Sequence, residues 1–139
     1  LFLDADVLIT DKKVLLDTLN KTTHLTSVKF HTDPGYNWIY NIFFEAQKLM
    51  KVFGSSFAIG GFQLFRTDIY HHTGGYNPEH IFAEDYYVSN KIYPAFFTLY
   101  NTKGVYTSSR RFKKKGLFYM IYLMVKCWIY RNNEAFYKK

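Results

Sequence analysis

Three apolar residues, Leu1-Phe2-Leu3, run directly into Asp4-Ala5-Asp6. The triplet reads as the end of a buried strand, so the two carboxylates sit where that strand emerges into a loop. In open α/β sheets that edge is the usual binding crevice. Two hard oxygen donors this close together suit Mg²⁺ or Mn²⁺ already bridging a diphosphate, because such ions prefer carboxylate, water and phosphate ligands. The same tripeptide also occurs wherever a strand simply turns into water, so its meaning depends on the rest of the chain.

Downstream, Thr10 is a suitable N-cap for a helix near residues 11–20, with Ile9 and Val14 as a hydrophobic staple across it. Leu25 to His31 reads as a short strand in which Val28 and Phe30 alternate with polar neighbours, and Asp33-Pro34-Gly35 then forces a turn. From Asn37 to Phe53 the apolar residues Ile39, Ile42, Phe43, Ala46, Leu49, Met50 and Phe53 recur at helical spacing, with Gly54 placed to end the helix. Gly60-Gly61 separates two apolar runs, which means either a tight strand connection or a close approach of backbone to a ligand. Thr67 caps a short helix ending at Gly74-Gly75, and Tyr76-Asn77-Pro78 forms a loop.

A second acidic cluster, Glu84-Asp85, opens a predicted helix that runs to about Tyr93 and is stopped by Pro94. Acids in a first turn also gain from the helix dipole, which is reason enough for a pair there without any chemistry. Phe96 to Tyr100 and Val105 to Thr107 read as strands, Ser108 to Lys115 as a basic loop, and Gly116 to Tyr130 as an almost wholly apolar stretch broken by Lys126.

The 139 residues suffice for one domain with a real core, and charged and aromatic residues at 21% each mark a globular chain. A chain that opens inside a strand without Met reads as the C-terminal part of a larger domain. Its single Cys127 excludes an intrachain disulfide and any multi-Cys zinc site. Residues 103–139 hold ten Lys or Arg against Glu134 alone, whereas the rest of the chain has eight basic against ten acidic residues. The basic character therefore belongs to the tail, and a partner of opposite sign meets that end first.

Taken in order, LFLDADVLI, GGFQLFR, TGGYNP, AEDYYVS and VYTSSRRF resemble the C-terminal half of a family 2 glycosyltransferase catalytic domain over nearly all of residues 1–112. The resemblance implies a partial GT-A fold, a Rossmann-like α/β domain with a mixed sheet flanked by helices over residues 1–115. It implies an inverting transfer of a sugar from a nucleotide-diphospho-sugar donor to a hydroxyl on a saccharide or lipid-linked acceptor. Asp4 and Asp6 are then at the donor diphosphate, with Asp6 the direct ligand of Mg²⁺ or Mn²⁺ and Asp4 near the ribose or a metal-bound water. Asp85 is the implied catalytic base and Glu84 its neighbour in the acceptor site, where like-charge repulsion raises the Asp85 pKa. Gly60 and Gly61 line the acceptor side, Tyr76 belongs to the loop that supports the base, and Arg110 and Arg111 can meet the diphosphate in bidentate fashion. Where the family often carries a metal-ligating histidine, this chain reads Val105-Tyr106-Thr107-Ser108-Ser109, and the Q-x-x-R-W motif of processive synthases does not occur. His71, His72 and His80 read as structural.

Residues 116–139 read as a basic, aromatic, amphipathic tail, too short in its apolar part for the roughly 20 residues that span a bilayer. Three lysines before it and Lys126 within it suit a helix in the membrane interface, so the expected location is cytoplasmic, peripheral at the inner face of the membrane. A core helix packed on the domain is the competing arrangement. Two other functions share parts of the pattern. A haloacid dehalogenase-like phosphatase also begins with a strand and D-x-D, but Val7 stands where such motifs carry a small residue. A membrane or nucleic-acid binding module would use the tail alone and leave both acidic clusters without a role; nucleic acid is not an expected partner of the transferase.

Overall fold

The computed structural model describes residues 1–21 and 23–138. The first strand, β1 (Phe2–Leu3), runs into a turn and then β2 (Val7–Ile9), followed by α1 (Lys13–Lys21), β3 (Leu25–Val28) and α2 (Asn37–Val52). Next come β4 (Phe62–Phe65), α3 (Thr67–His72), α4 (Glu84–Ser89), β5 (Phe97–Tyr100) and β6 (Val105–Thr107). Three helices close the chain: α5 (Arg110–Lys115), α6 (Leu117–Ile129) and α7 (Glu134–Tyr137).

The architecture is mixed α/β. Four strands form a sheet in the order β1-β4-β3-β5, in which β4 is antiparallel to both neighbours and β3 runs parallel to β5. The parallel pair is possible because a long connection, passing through α2 to α4, separates β3 from β5. A separate two-stranded antiparallel ladder joins β2 to β6, with Val7 opposite Thr107 and Ile9 opposite Val105.

Burial differs from the alternating pattern expected for the strand after α1. Every residue of β3 and β4 is buried, including Thr26, Ser27 and Gln63, because helices or loops cover both faces of the sheet centre. The opening triplet is not fully buried, since β1 lies at the sheet edge and leaves Leu1 and Leu3 exposed. Only Phe2 packs inward, against Phe65, Tyr70 and Tyr76.

The long helix matches its apolar spacing, with Ile39, Phe43 and Phe44 buried. Gly54 ends it at φ +80°, where the N–H of Ser55 reaches Met50 and that of Gly54 reaches Lys51. At the start of α1 the capping side chain is Asp11, whose Oδ1 accepts from the Lys13 N–H at 2.9 Å. Thr10 instead spends its own N–H on the Gly104 carbonyl. Ile9 and Val14 do pack in one cluster, with Phe30, Phe62 and Val105.

Two elements depart from the sequence expectation for tertiary reasons. The helix beginning at Glu84 stops at Ser89, four residues early, where the backbone tightens into bonds from the Lys91 N–H to Val88 and the Ile92 N–H to Ser89 and residues 55–58 hold the segment by its polar groups. Ser89 Oγ accepts from the Ala58 N–H, while the hydroxyls of Ser55 and Ser56 donate to Asn90 Oδ1 and the Ile92 carbonyl. Conversely, the basic stretch expected to be a loop contains α5. Phe112 anchors that helix by burial against Tyr40 and Phe43 of α2. Ser109 and Lys113 both donate to Asp33, which holds the short helix to the turn after β3.

The apolar stretch after Gly116 is helical and lies on the domain through one face, burying Cys127. Beyond it, α7 buries Phe136 and Tyr137 with Tyr86 and Cys127, an anchor that the polar character of the final residues conceals. No helix among the described residues is long and apolar enough to cross a membrane.

Candidate functional site

The two acidic clusters are brought to one cleft by register. Asp4 to Val7 is a β-turn, closed by the Val7 N–H donating to the Asp4 carbonyl at 3.1 Å, and Asp suits its first position. Because Val7 pairs with Thr107, the chain leaving β6 passes directly beside this turn. Arg110 and Arg111, two and three residues after Ser108, therefore face the acids. Arg110 Nη2 is 3.8 Å from Asp6 Oδ2, and Arg111 Nη2 is 3.7 Å from Asp4 Oδ2. These separations exceed hydrogen-bond length, so both pairs are loose, and such exposed contacts contribute little to stability.

On the other side, Asp85 enters the cleft from the first turn of α4. Its Oδ2 accepts from the Gly60 N–H at 2.6 Å, and its Oδ1 from the Tyr86 N–H at 2.8 Å. Each carboxylate oxygen thus has one backbone donor and a remaining lone pair. Removal from water pushes the Asp85 carboxyl up to about 6, with the charge of neighbouring Glu84 a smaller contribution and Asp4 smaller still. Burial, rather than the like-charge repulsion expected from the sequence, is the main cause. Glu84 itself is exposed.

Gly60 and Gly61 have different neighbours. A Cβ at residue 60 would lie 2.8 Å from Asp85 Oδ2, so the missing side chain lets the backbone reach that carboxylate. A Cβ at residue 61 would meet the Phe30 ring at 3.0 Å and a Val7 methyl at 3.2 Å. The close approach that this dipeptide permits is therefore to protein groups, and it fixes the site walls.

Tyr76 holds the acidic helix through Gln63. The Tyr76 hydroxyl donates to Gln63 Oε1, while Gln63 Nε2 donates to the carbonyls of Ala58 at 3.1 Å and Asp85 at 3.2 Å. Burial and the Asp85 charge raise the Tyr76 pKa, keeping this donor protonated. Gln63 gives no signal in the sequence because a lone Gln among apolar strand residues looks like an outward-facing position. Ala83 gives none either. It has φ +49°, the only positive φ at a non-glycine residue among those described, and it immediately precedes the acidic pair. No residue type at that position signals the left-handed turn.

Three adjoining depressions make up the cleft, and Asp4 borders all of them. The first, about 380 Å³, has Asp4, Gly60, Glu84, Asp85 and Arg111 on its polar side. The second, about 50 Å³, is bounded by Asp4, Asp6, Gly61 and Arg111, together with Tyr40, Thr107 and Ser108. The third, about 500 Å³, brings Tyr76 beside Gly60, Glu84 and Asp85. Arg110 borders none of them and reaches the cleft only through Asp6. Tyr40, on the long core helix, is hidden in the sequence among apolar neighbours; burial pushes its hydroxyl up to about 12.

For a metal, the turn offers Asp4 and Asp6, whose side chains remain partly accessible at 42% and 29%. No group of three or more His, Cys, Asp or Glu that could hold an ion occurs among the described residues. Two carboxylates nevertheless fit Mg²⁺, which is commonly held by one or two protein carboxylates plus substrate phosphates. His80 is not in this set. Its ring is buried between Tyr87 and Tyr137, with Nε2 3.5 Å from Glu134, a place that joins α7 to the loop before α4.

No protein-family profile matches the sequence, and no curated protein or solved structure matches it.

Proposed function

We propose that the chain carries the C-terminal half of a GT-A catalytic domain of the family 2 glycosyltransferase type, which moves a sugar from a nucleotide-diphospho-sugar donor to an acceptor hydroxyl with inversion. The observation that carries this reading is the cleft shared by two unlike carboxylate sets. Asp4 and Asp6 face arginines on a turn, while Asp85 is a half-buried carboxylate raised to about 6. A carboxylate with a pKa near the working pH is suited to accept a proton.

In the proposed reaction the acceptor hydroxyl hydrogen-bonds to the open lone pair of Asp85. The hydroxyl oxygen attacks the anomeric carbon and its proton passes to Asp85. The bond from that carbon to the diphosphate oxygen breaks on the opposite face, and its electron pair leaves with the phosphate. Arg111 and Arg110 stand where a guanidinium can offset that charge, and the Gly60 N–H keeps Asp85 aimed throughout. Mg²⁺ or Mn²⁺, when held by Asp6 and Asp4 with the diphosphate, would supply further neutralisation of the leaving group.

The basic tail fits a peripheral position at the inner face of a membrane. Phe118, Tyr122 and Ile129 are exposed on α6, and Lys114 and Lys115, exposed at the end of α5, precede it. Aromatic insertion beside cations is the usual design of an interfacial helix.

The deciding experiment is donor binding and sugar transfer by the full-length protein and its Asp85→Asn variant. Transfer should be lost and donor binding retained; a variant that keeps most of its activity would remove Asp85 as the base.

A further inference from the structure

The cavity of about 380 Å³ combines carboxylates with an apolar lining that a site for sugar alone does not require. Its volume is within the range of small-molecule pockets, about 300–1,000 Å³. Besides the carboxylates of Asp4, Glu84 and Asp85, the cavity has an apolar wall to which Phe57, Phe82, Met120, Leu123, Met124 and Cys127 contribute. Burial pushes the Cys127 thiol up to about 12, so its sulfur is one more apolar surface and not a nucleophile at neutral pH. Sugar hydroxyls against this wall would lose water without gaining partners, which is unfavourable. A hydrocarbon chain loses nothing there, and methionines adapt to its shape.

The helix that supplies most of this wall is apolar on its outer face as well. Phe118 is 87% exposed and Ile129 60%, with Tyr122 and Val125 between them. Thus α6 separates an apolar cavity from an apolar surface, and a chain drawn from a lipid layer would meet hydrocarbon on both sides of it.

We infer that the acceptor is an amphiphile, with its hydroxyl at Asp85 and its alkyl portion along Met120, Leu123 and Met124. The assignment of that hydroxyl as the reacting group rests on the transferase reading, whereas the preference of the cavity for an alkyl chain does not.

Titration calorimetry with n-octyl β-glucoside below its micelle concentration, compared with methyl β-glucoside, tests the inference directly. Each methylene removed from water tightens binding about fourfold, so the octyl compound should bind at least about tenfold more tightly. Leu123→Arg should abolish that preference. Met124→Gln should reduce it without so large a change in shape, which covers the case in which the arginine variant does not fold. Phe118→Ser, on the outer face, should leave it intact and so exclude adsorption of the detergent to the exposed aromatics. Equal binding of the two glucosides, or loss of the preference on Phe118→Ser alone, would overturn the inference. A nucleotide-diphospho-sugar is titrated in parallel, with the full-length protein used for both ligands. Octyl preference without nucleotide binding supports the amphiphile cavity and removes the transferase reading. Nucleotide binding without octyl preference leaves the transferase reading standing and overturns the amphiphile.

Discussion

Gly60 and Asp85 are held together from both directions: the Gly60 N–H donates to Asp85 Oδ2 at 2.6 Å, and a methyl group on residue 60 would lie 2.8 Å from the same oxygen. The contact joins the connection before β4 to the first turn of α4, 25 residues away in the chain. It also makes the glycine part of the geometry of the carboxylate rather than a spacer.

Gly60→Ala should therefore displace Asp85 while leaving the fold in place. The expected outcome is a loss of transfer of about a hundredfold, since small misplacements of a reacting group cost that much. Nucleotide-diphosphate affinity, which depends on the other end of the cleft, should be unchanged. Parallel rate and binding measurements on the full-length protein check this, and an equal loss of both would show a general collapse of the site.

Asp85→Asn separates chemistry from stability. Loss of the base should lower the transfer rate by about 10²–10⁴. The carboxyl is raised from 3.8 to about 6, so the folded state holds its proton more tightly than the unfolded state. The stability it contributes is greatest below its unfolded pKa and is lost as pH rises through about 6. The parent should accordingly lose stability between about pH 4 and 6, and the variant, which cannot titrate and whose amide nitrogen cannot accept the second backbone N–H, should lack that pH-dependent loss. The same loss between about pH 4 and 6 in the variant would contradict the raised pKa. In the parent, the transfer rate should fall as pH drops through about 6.

Asp6→Ala acts at the opposite end. Removing this carboxylate should weaken nucleotide-diphosphate binding by about tenfold or more in Mg²⁺ or Mn²⁺. Binding in a chelator should change little, because the loose contact with Arg110 at 3.8 Å leaves that arginine free to meet phosphate. Calorimetry with and without the cation gives the comparison. An equal loss under both conditions would mean that Asp6 positions Arg110 instead of a metal.

Ala83→Gly should relieve the left-handed backbone at φ +49°. Leaving a non-glycine residue there costs roughly 1–2 kcal/mol, partly offset by the greater freedom of glycine in the unfolded chain, for a net gain of about 1 kcal/mol. Urea denaturation measures it, and destabilisation would show that the Ala83 methyl contributes packing worth more than the strain.

On the outer face of α6, a combined Phe118→Ser and Tyr122→Ser variant should lose most binding to vesicles containing anionic lipid, and parent binding should fall with added salt. Vesicle flotation reads both effects, and undiminished binding by the variant would assign membrane contact to some other surface.

By itself the sequence determined the local features that need only neighbours: the period of α2, the glycine that ends it, the turn at Asp4-Ala5-Asp6, and the acidic start of α4. Spacing and capping act within a few residues, so they can be read along the chain. Tertiary structure alone decided what these pieces do together. The pairing of Val7 with Thr107 delivered Arg110 and Arg111 to the acids. Burial of Phe112 made a helix from a stretch whose charges suggested a loop. Gln63 became the link between Tyr76 and the Asp85 backbone only because both faces of β4 are covered. The raised carboxyl of Asp85 is likewise a property of its surroundings, since desolvation depends on every group packed around it and only slightly on Glu84 next to it.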